Sequence, residues 1–184
     1  MAIEHHLYLD TPASRHELRD TLVQAGIGLE AAPDWKHTSG AIGAATNVTI
    51  RDDLSYYFVR PDNGVVATRN AMFRDRKRYL SKPGTEEEFE VQTVLGVMAL
   101  LKAYPEADAY WLAYDAKQPV LLRRGGRLML SQALTEPRRH WDPERQPFRA
   151  LVDLPYTVEP LGPWRYVPVE EQVPSPGPDP TSLL

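Results

Sequence analysis

Cysteine is absent from this chain, which removes a disulfide framework, a thiolate metal site and a cysteine nucleophile together. The absence fits a reducing compartment. Long apolar runs are missing too: no stretch approaches the roughly 20 residues that span a bilayer, and the opening MAIEHHLYLD has neither the basic start nor the apolar run of a signal peptide. A soluble, cytoplasmic protein without membrane contact is expected. There is no strong charge of one sign either. With 21 basic and 25 acidic residues the formal net charge is −4, which argues against bulk affinity for nucleic acid and leaves only local patches open. None of His5, His6, His16, His37 and His140 makes an H-x-x-x-H spacing. Adjacent His5 and His6 would point to opposite faces of a strand, so they would share no metal. No G-x-S-x-G nucleophile elbow occurs. Gly40-Ala-Ile-Gly43 lacks the glycine order and the Lys-Ser/Thr ending of a phosphate loop. Catalytic residues, metal ligands and cofactors are therefore not assigned.

What is present is ordinary globular material, 184 residues with 42% hydrophobic and 25% charged side chains, enough for one core. Residues 2–9 read as a strand with Ile3, Leu7 and Leu9 on one face. Ser14-x-x-Glu17 is a capping box, and the helix behind it runs to about Ala25 with Leu18, Leu22 and Ala25 as its buried stripe and Gly26 after its last turn. Residues 28–43, rich in Gly, Ala, Pro and Ser, read as loop. Residues 47–51 and 55–60 read as paired strands around Asp52-Asp53, and a third strand falls within 65–76. Thr85-x-x-Glu88 starts a second helix on which Val91, Val94, Leu95, Met98 and Leu101 recur, and Pro105 stops it. A strand at 109–114, with Trp111 in the core, leads to a hairpin, and Asp142-Pro143 begins a short third helix. The expected fold is α+β: an antiparallel or mixed sheet of about six to seven strands with two main helices on one face and a short C-terminal helix. Residues 1–172 form a single domain in this reading. Residues 173–184, with Pro174, Pro176, Pro178 and Pro180, form a flexible tail.

The hairpin is the most specific local signal. In VLLRRGGRLMLS, residues 120–131, Gly125-Gly126 supplies the positive φ angles of a two-residue type I′ turn. That turn sets Arg124 opposite Arg127, Arg123 opposite Leu128 and Leu122 opposite Met129. Like charges facing each other cost a few tenths to about 1 kcal/mol unless solvent or an anion relieves them. Arg123, Arg124 and Arg127 are accordingly candidates for contact with an acidic partner, against the plainer reading of a solvated tip. Glu86 and Glu87 open the second helix, where they support its start and could also present an acidic surface to a basic protein. Arg69, Arg74, Arg76, Lys77, Arg78 and Lys82 crowd around Met72, Phe73 and Tyr79. Nucleic acid is one reading of that patch; a solvated strand edge, partly neutralised by the glutamates that follow, is the preferred one.

Residues 107–112 (ADAYWL), the hairpin at 120–131 and Trp141-Asp-Pro-Glu-Arg145, in that order, resemble the Sit immunity family of bacterial swarming-inhibition toxin exchange. The stretch from His5 to Leu22 is similar to that family's opening strand and helix. The basic segment at 69–82 and the proline-rich end depart from it. The resemblance implies a small cytoplasmic protein that binds and blocks a cognate toxin, with no reaction of its own. A small enzyme of unrecognised class and a nucleic-acid-binding or regulatory module remain as alternatives.

Overall fold

Alternation along the first strand divides the molecule into two faces. The computed structural model describes residues 4–28, 30–53, 59–61, 67–75, 86–113, 118–132, 151–161 and 164–166. Strand β1 (Glu4–Asp10) sends Leu7 and Leu9 to one side and Tyr8 to the other, and lies between β6 (Arg69–Asp75) and β7 (Asp108–Ala113). Helices α1 (Arg15–Gln24) and α2 (Glu86–Ala103) both pack on the Leu7 side. There Leu18 and Leu22 of α1 and Phe89, Val94, Val97 and Leu101 of α2 join Phe73, Trp111 and Leu121 in one core. The opposite side holds a smaller cluster of Tyr8, Ala67, Tyr110, Leu112, Leu122 and Met129.

Among the described residues the main sheet contains nine strands rather than six to seven. On one flank β6 is followed by β4 (Thr46–Arg51), β3 (Thr38–Ile42) and β2 (Glu30–Trp35). On the other, β7 is followed by β8 (Gln118–Arg124), β9 (Arg127–Ser131) and β10 (Thr157–Glu159). Every pairing is antiparallel except that of β9 with β10, so the sheet is mixed. Strands β5 (Val59–Pro61) and β11 (Trp164–Tyr166) pair separately. The expected pairing across Asp52-Asp53 does not form, because both edges of β4 are taken by β3 and β6.

Residues 30–42 are a strand pair, not a loop. Their small side chains carry little propensity signal, but close approach demands them: a Cβ on Gly40 would sit 2.9 Å from the carbonyl oxygen of Val48 and 3.2 Å from the Cβ of Ala32. Helix α1 has the capping box that its sequence announces, with Glu17 N donating to Ser14 Oγ at 3.2 Å and Ser14 N to Glu17 Oε2 at 2.7 Å. Ala25, expected in its buried stripe, is exposed at the C-cap. On α2 Val94, Met98 and Leu101 are buried as expected and Leu95 is exposed, and the stripe is widened by Phe89, Val97 and Leu100, because the helix packs against α1 as well as the sheet. Ile3, Thr85, the helix expected at Asp142-Pro143 and the tail at 173–184 lie outside the described residues.

His5 and His6 separate as the pleat requires. His5 sits on the helix face, where Trp111 Nε1 donates to its Nδ1 at 3.2 Å and Phe89 meets its ring edge-on. His6 stacks with Tyr8, which in turn stacks with Tyr110 at a centroid distance of 4.9 Å. Burial, aided by the neighbouring charge of His6, lowers the His5 pKa to about 3. The folded state therefore holds His5 neutral, whereas the unfolded chain takes up a proton near pH 6.5. Stability from this difference is complete above pH 6.5 and is lost progressively as the pH falls from there towards 3. Between pH 7.5 and 5.0 the loss is about 2 kcal/mol. Urea unfolding at the two pH values should show it, and His5→Asn, which keeps an acceptor for Trp111, should flatten the dependence; an equally steep slope in the variant would assign the effect to other groups.

Candidate functional site

The hairpin forms in the register that its glycines dictate. Gly125 and Gly126 take φ values of 56° and 78°, and Arg124 faces Arg127, Arg123 faces Leu128 and Leu122 faces Met129. Arg124, Gly125, Gly126 and Arg127 are all exposed. The tip is braced from below, since Gly125 N donates to Asp108 Oδ1 at 2.8 Å and Arg127 pairs with Glu159 of β10. Arg124 has no ion-pair partner among the described residues. The facing cations are therefore unequal: one is answered within the fold, and the other is presented to solvent.

Arg123 is not part of that surface. It is 4% exposed and lies on the helix face, where Nε donates to Ala107 O at 2.7 Å, Nη1 to Leu101 O at 2.6 Å and Nη2 to Tyr104 O at 2.5 Å. The need arises from Pro105. The carbonyl of Leu101, in the last turn of α2, would ordinarily accept from the N–H four residues on, and proline has none. Arg123 takes that place, and its charge suits the negative end of the helix dipole. Burial presses its pKa down while Glu106 and Asp108 push it up, and a guanidinium under such opposed influences stays charged. Its charge is engaged inside the fold rather than offered to a partner. Strand parity carried the signal, because Arg123 shares the side of Leu121 and faces Leu128, both core residues.

Glu86 and Glu87 occupy the first turn of α2, the opposite end of the helix from the carbonyls that Arg123 holds. An 18-residue helix separates the two by about 25 Å at 1.5 Å per residue. The glutamates and the hairpin tip are thus two places, not one patch. The basic segment is also divided. Arg69 Nε donates to Ala13 O at 2.8 Å, Arg74 Nε donates to Glu4 Oε1 at 2.7 Å, and Met72 and Phe73 are buried. Arg76, Lys77, Arg78, Tyr79 and Lys82 lie outside the described residues.

Two arrangements were not visible in the sequence. The first clamps the β2–β3 hairpin to α1 around Asp34, whose carboxylate accepts from Ser39 Oγ at 2.6 Å and Arg19 Nη1 at 3.2 Å and meets His16 Nε2 at 2.6 Å. The Ser39 hydroxyl foremost, with His16 and Arg19, holds this carboxyl below the ordinary aspartate range. Beside it Asp52 pairs with Arg15 and lies 3.4 Å from His37 Nδ1. The serine bonds to the aspartate and not to the histidine, so this is a clamp and not a nucleophilic triad. The second is a row of facing residues on the helix-free side, Arg51, Asn70, Tyr8, Tyr110, Leu122 and Met129, one from each of six adjoining strands. Only strand register assembles it. Among the described residues no group of three or more His, Asp or Glu side chains could hold a metal, and no helix is long and apolar enough to cross a membrane.

Comparison with protein-family models, curated proteins and solved structures finds no match to this chain.

Replacing Arg123 by Met keeps the volume and removes all three hydrogen bonds. The loss should be about 3 kcal/mol, since bonds to a charged donor contribute about 1.5–3 kcal/mol each and water can recover part of them. A denaturant midpoint measures it; a loss below about 1 kcal/mol would mean that water replaces the guanidinium fully. Asp34→Asn should instead speed amide exchange across residues 30–42 and leave β1, β6 and β7 unchanged. Uniform acceleration over the whole sheet would show that the clamp is not local.

Proposed function

We propose that the chain is an immunity protein: it binds a cognate bacterial toxin in the cytoplasm of the producing cell, or of a recipient relative, and neutralises it without chemistry of its own. One observation carries this reading. The strand–hairpin unit that bears the likeness to the Sit immunity family is braced at its tip, with Arg124 and Arg127 exposed there. A protein that works by occlusion needs a preformed surface with a few anchors and a charged rim, and loses less entropy on binding when that surface is already held. Asp108 and Glu159 hold the tip in this way. The glutamates of α2 stand at the far end of the same helix, so a toxin engaging the tip would reach them only if it spanned the helix length. Arg124 and Arg127 are therefore the leading contacts, with Glu86 and Glu87 secondary.

The reading expects a toxin gene beside this one; co-expression of the two should restore growth, and the two proteins should copurify. Failure of both would end the immunity reading. The double substitution Arg124→Ser with Arg127→Ser should weaken binding about tenfold at low salt, equivalent to about 1.4 kcal/mol, and the difference should shrink at physiological ionic strength as the rim charges are screened. Affinity unchanged at both salt concentrations would remove the tip from the interface.

A further inference from the structure

The outermost hairpin of the sheet is held to α1 by charge. Among the described residues β2 pairs on one side only, with β3, and the turn between them puts Lys36 at a φ of 43°. A residue other than glycine keeps that conformation only where its surroundings enforce it. Enforcement comes from both sides of Lys36. Asp34, two positions before it, meets His16 Nε2 of α1 at 2.6 Å and accepts from Ser39 Oγ across the hairpin at 2.6 Å and from Arg19 Nη1 at 3.2 Å. His37, one position after it, has Nδ1 3.4 Å from Asp52 Oδ1, while Arg15 of α1 holds the other oxygen of that carboxylate. Asp52 Oδ1 is buried and accepts no hydrogen bond among the described residues. A neutral imidazole has one N–H, on either ring nitrogen, whereas an imidazolium has both. Protonation therefore guarantees a donor at His16 Nε2 and at His37 Nδ1, and it adds a charge to each pair.

We propose that residues 30–42 are fastened to α1 by a proton-operated latch: protonation of His16 and His37 tightens the hairpin onto the helix, and their deprotonation loosens it. Arg15, Arg19 and Asp20 of α1, Asp34 of β2 and Asp52 pair within this cluster, and Lys36, Arg51 and Asp53 adjoin it in the chain. Aspartate, lysine and arginine ordinarily keep their charges between pH 5 and 8, so the two imidazoles are the groups that change. The Ser39 hydroxyl foremost, with His16 and Arg19, holds the Asp34 carboxyl below the ordinary aspartate range, and its charge is ready for the imidazolium. Arg15, Arg19 and Ser39 keep their contacts in either state, so the latch loosens without releasing. Its sign is opposite to that of the core. A pair that favours the charged imidazole contributes stability in acid and loses it as the pH rises, whereas His5, held neutral, weakens the whole fold in acid. Acidification thus tightens this margin of the sheet while the fold around it becomes less stable. The latch stands independently of the toxin-binding reading.

Amide exchange of the whole chain at pH 7.5 and 5.5, corrected for the intrinsic exchange rate at each pH, tests it. Protection at 30–42 should rise about three- to fivefold on acidification, the scale of one or two exposed ion pairs, while protection at β1, β6 and β7 should fall about tenfold as the unfolded chain gains a proton on His5. The double substitution His16→Gln with His37→Asn supplies neutral donors in place of Nε2 and Nδ1; it should abolish the rise at 30–42 and leave the fall elsewhere. His5→Asn should do the converse. Thermal melting identifies a variant that fails to fold; should the double variant do so, His37→Asn alone, at a side chain that is 64% exposed, must still reduce the rise. Protection at 30–42 that stays level or falls in the wild-type chain overturns the latch, and so does a rise that persists undiminished without the two imidazoles.

Discussion

One guanidinium joins the parts on which the candidate surface depends. Arg123 belongs to β8, its acceptors belong to the last turn of α2 and to the turn into β7, and the hairpin tip begins at the next residue. An isolated buried cation would be severely penalised. Here the carbonyl that Pro105 leaves without an N–H donor, the negative end of α2 and the nearby Glu106 and Asp108 make the site favourable for charge. The same contact fixes the angle at which helix and hairpin meet. Arg124 and Arg127 are exposed in a defined direction because the arginine before them is turned into the core.

The sheet that carries the hairpin has two unlike faces. On the helix side, leucines, Trp111 and Phe89 close around His5, whose neutral ring serves as an acceptor inside the core. The other side is built from a stacked ladder of His6, Tyr8 and Tyr110 with Asn70 and Arg51 in the same region. Aromatic rings supply apolar area there and keep polar atoms at their rims. The difference follows from a single strand, since β1 reads His5, Leu7, Leu9 to one face and His6, Tyr8 to the other.

Legibility followed the distance over which each signal acts. Local chemistry was readable: the capping box of Ser14 and Glu17, the stop before Pro105, and the full register of the Gly125–Gly126 hairpin. These are settled by residues within a few positions of one another. Strands β2 and β3 were hidden, because Ala31, Ala32, Gly40 and Ala41 are chosen by close packing and by the Asp34 clamp rather than by β propensity. Strand β10 was hidden by its length, and β4 was given the wrong partner because adjacency in sequence favours β5 while β6 lies beside it in space. Arg123 was placed with its charged neighbours by composition, although its parity with Leu121 already set it on the core side.

The same contrast between local and distant determinants separates the two sheet edges. Pro33 protects β2 whatever lies nearby, because a residue without an N–H refuses a new strand by itself. Among the described residues nothing comparable protects β10, whose place beside β9 is created by a chain that returns after some 25 residues and lays three residues in parallel. An edge formed late in the topology and left with Val158 outward is a liability in isolation, since exposed edges template unwanted pairing. Its three-residue length limits that hazard, because few main-chain groups are left to template a new strand.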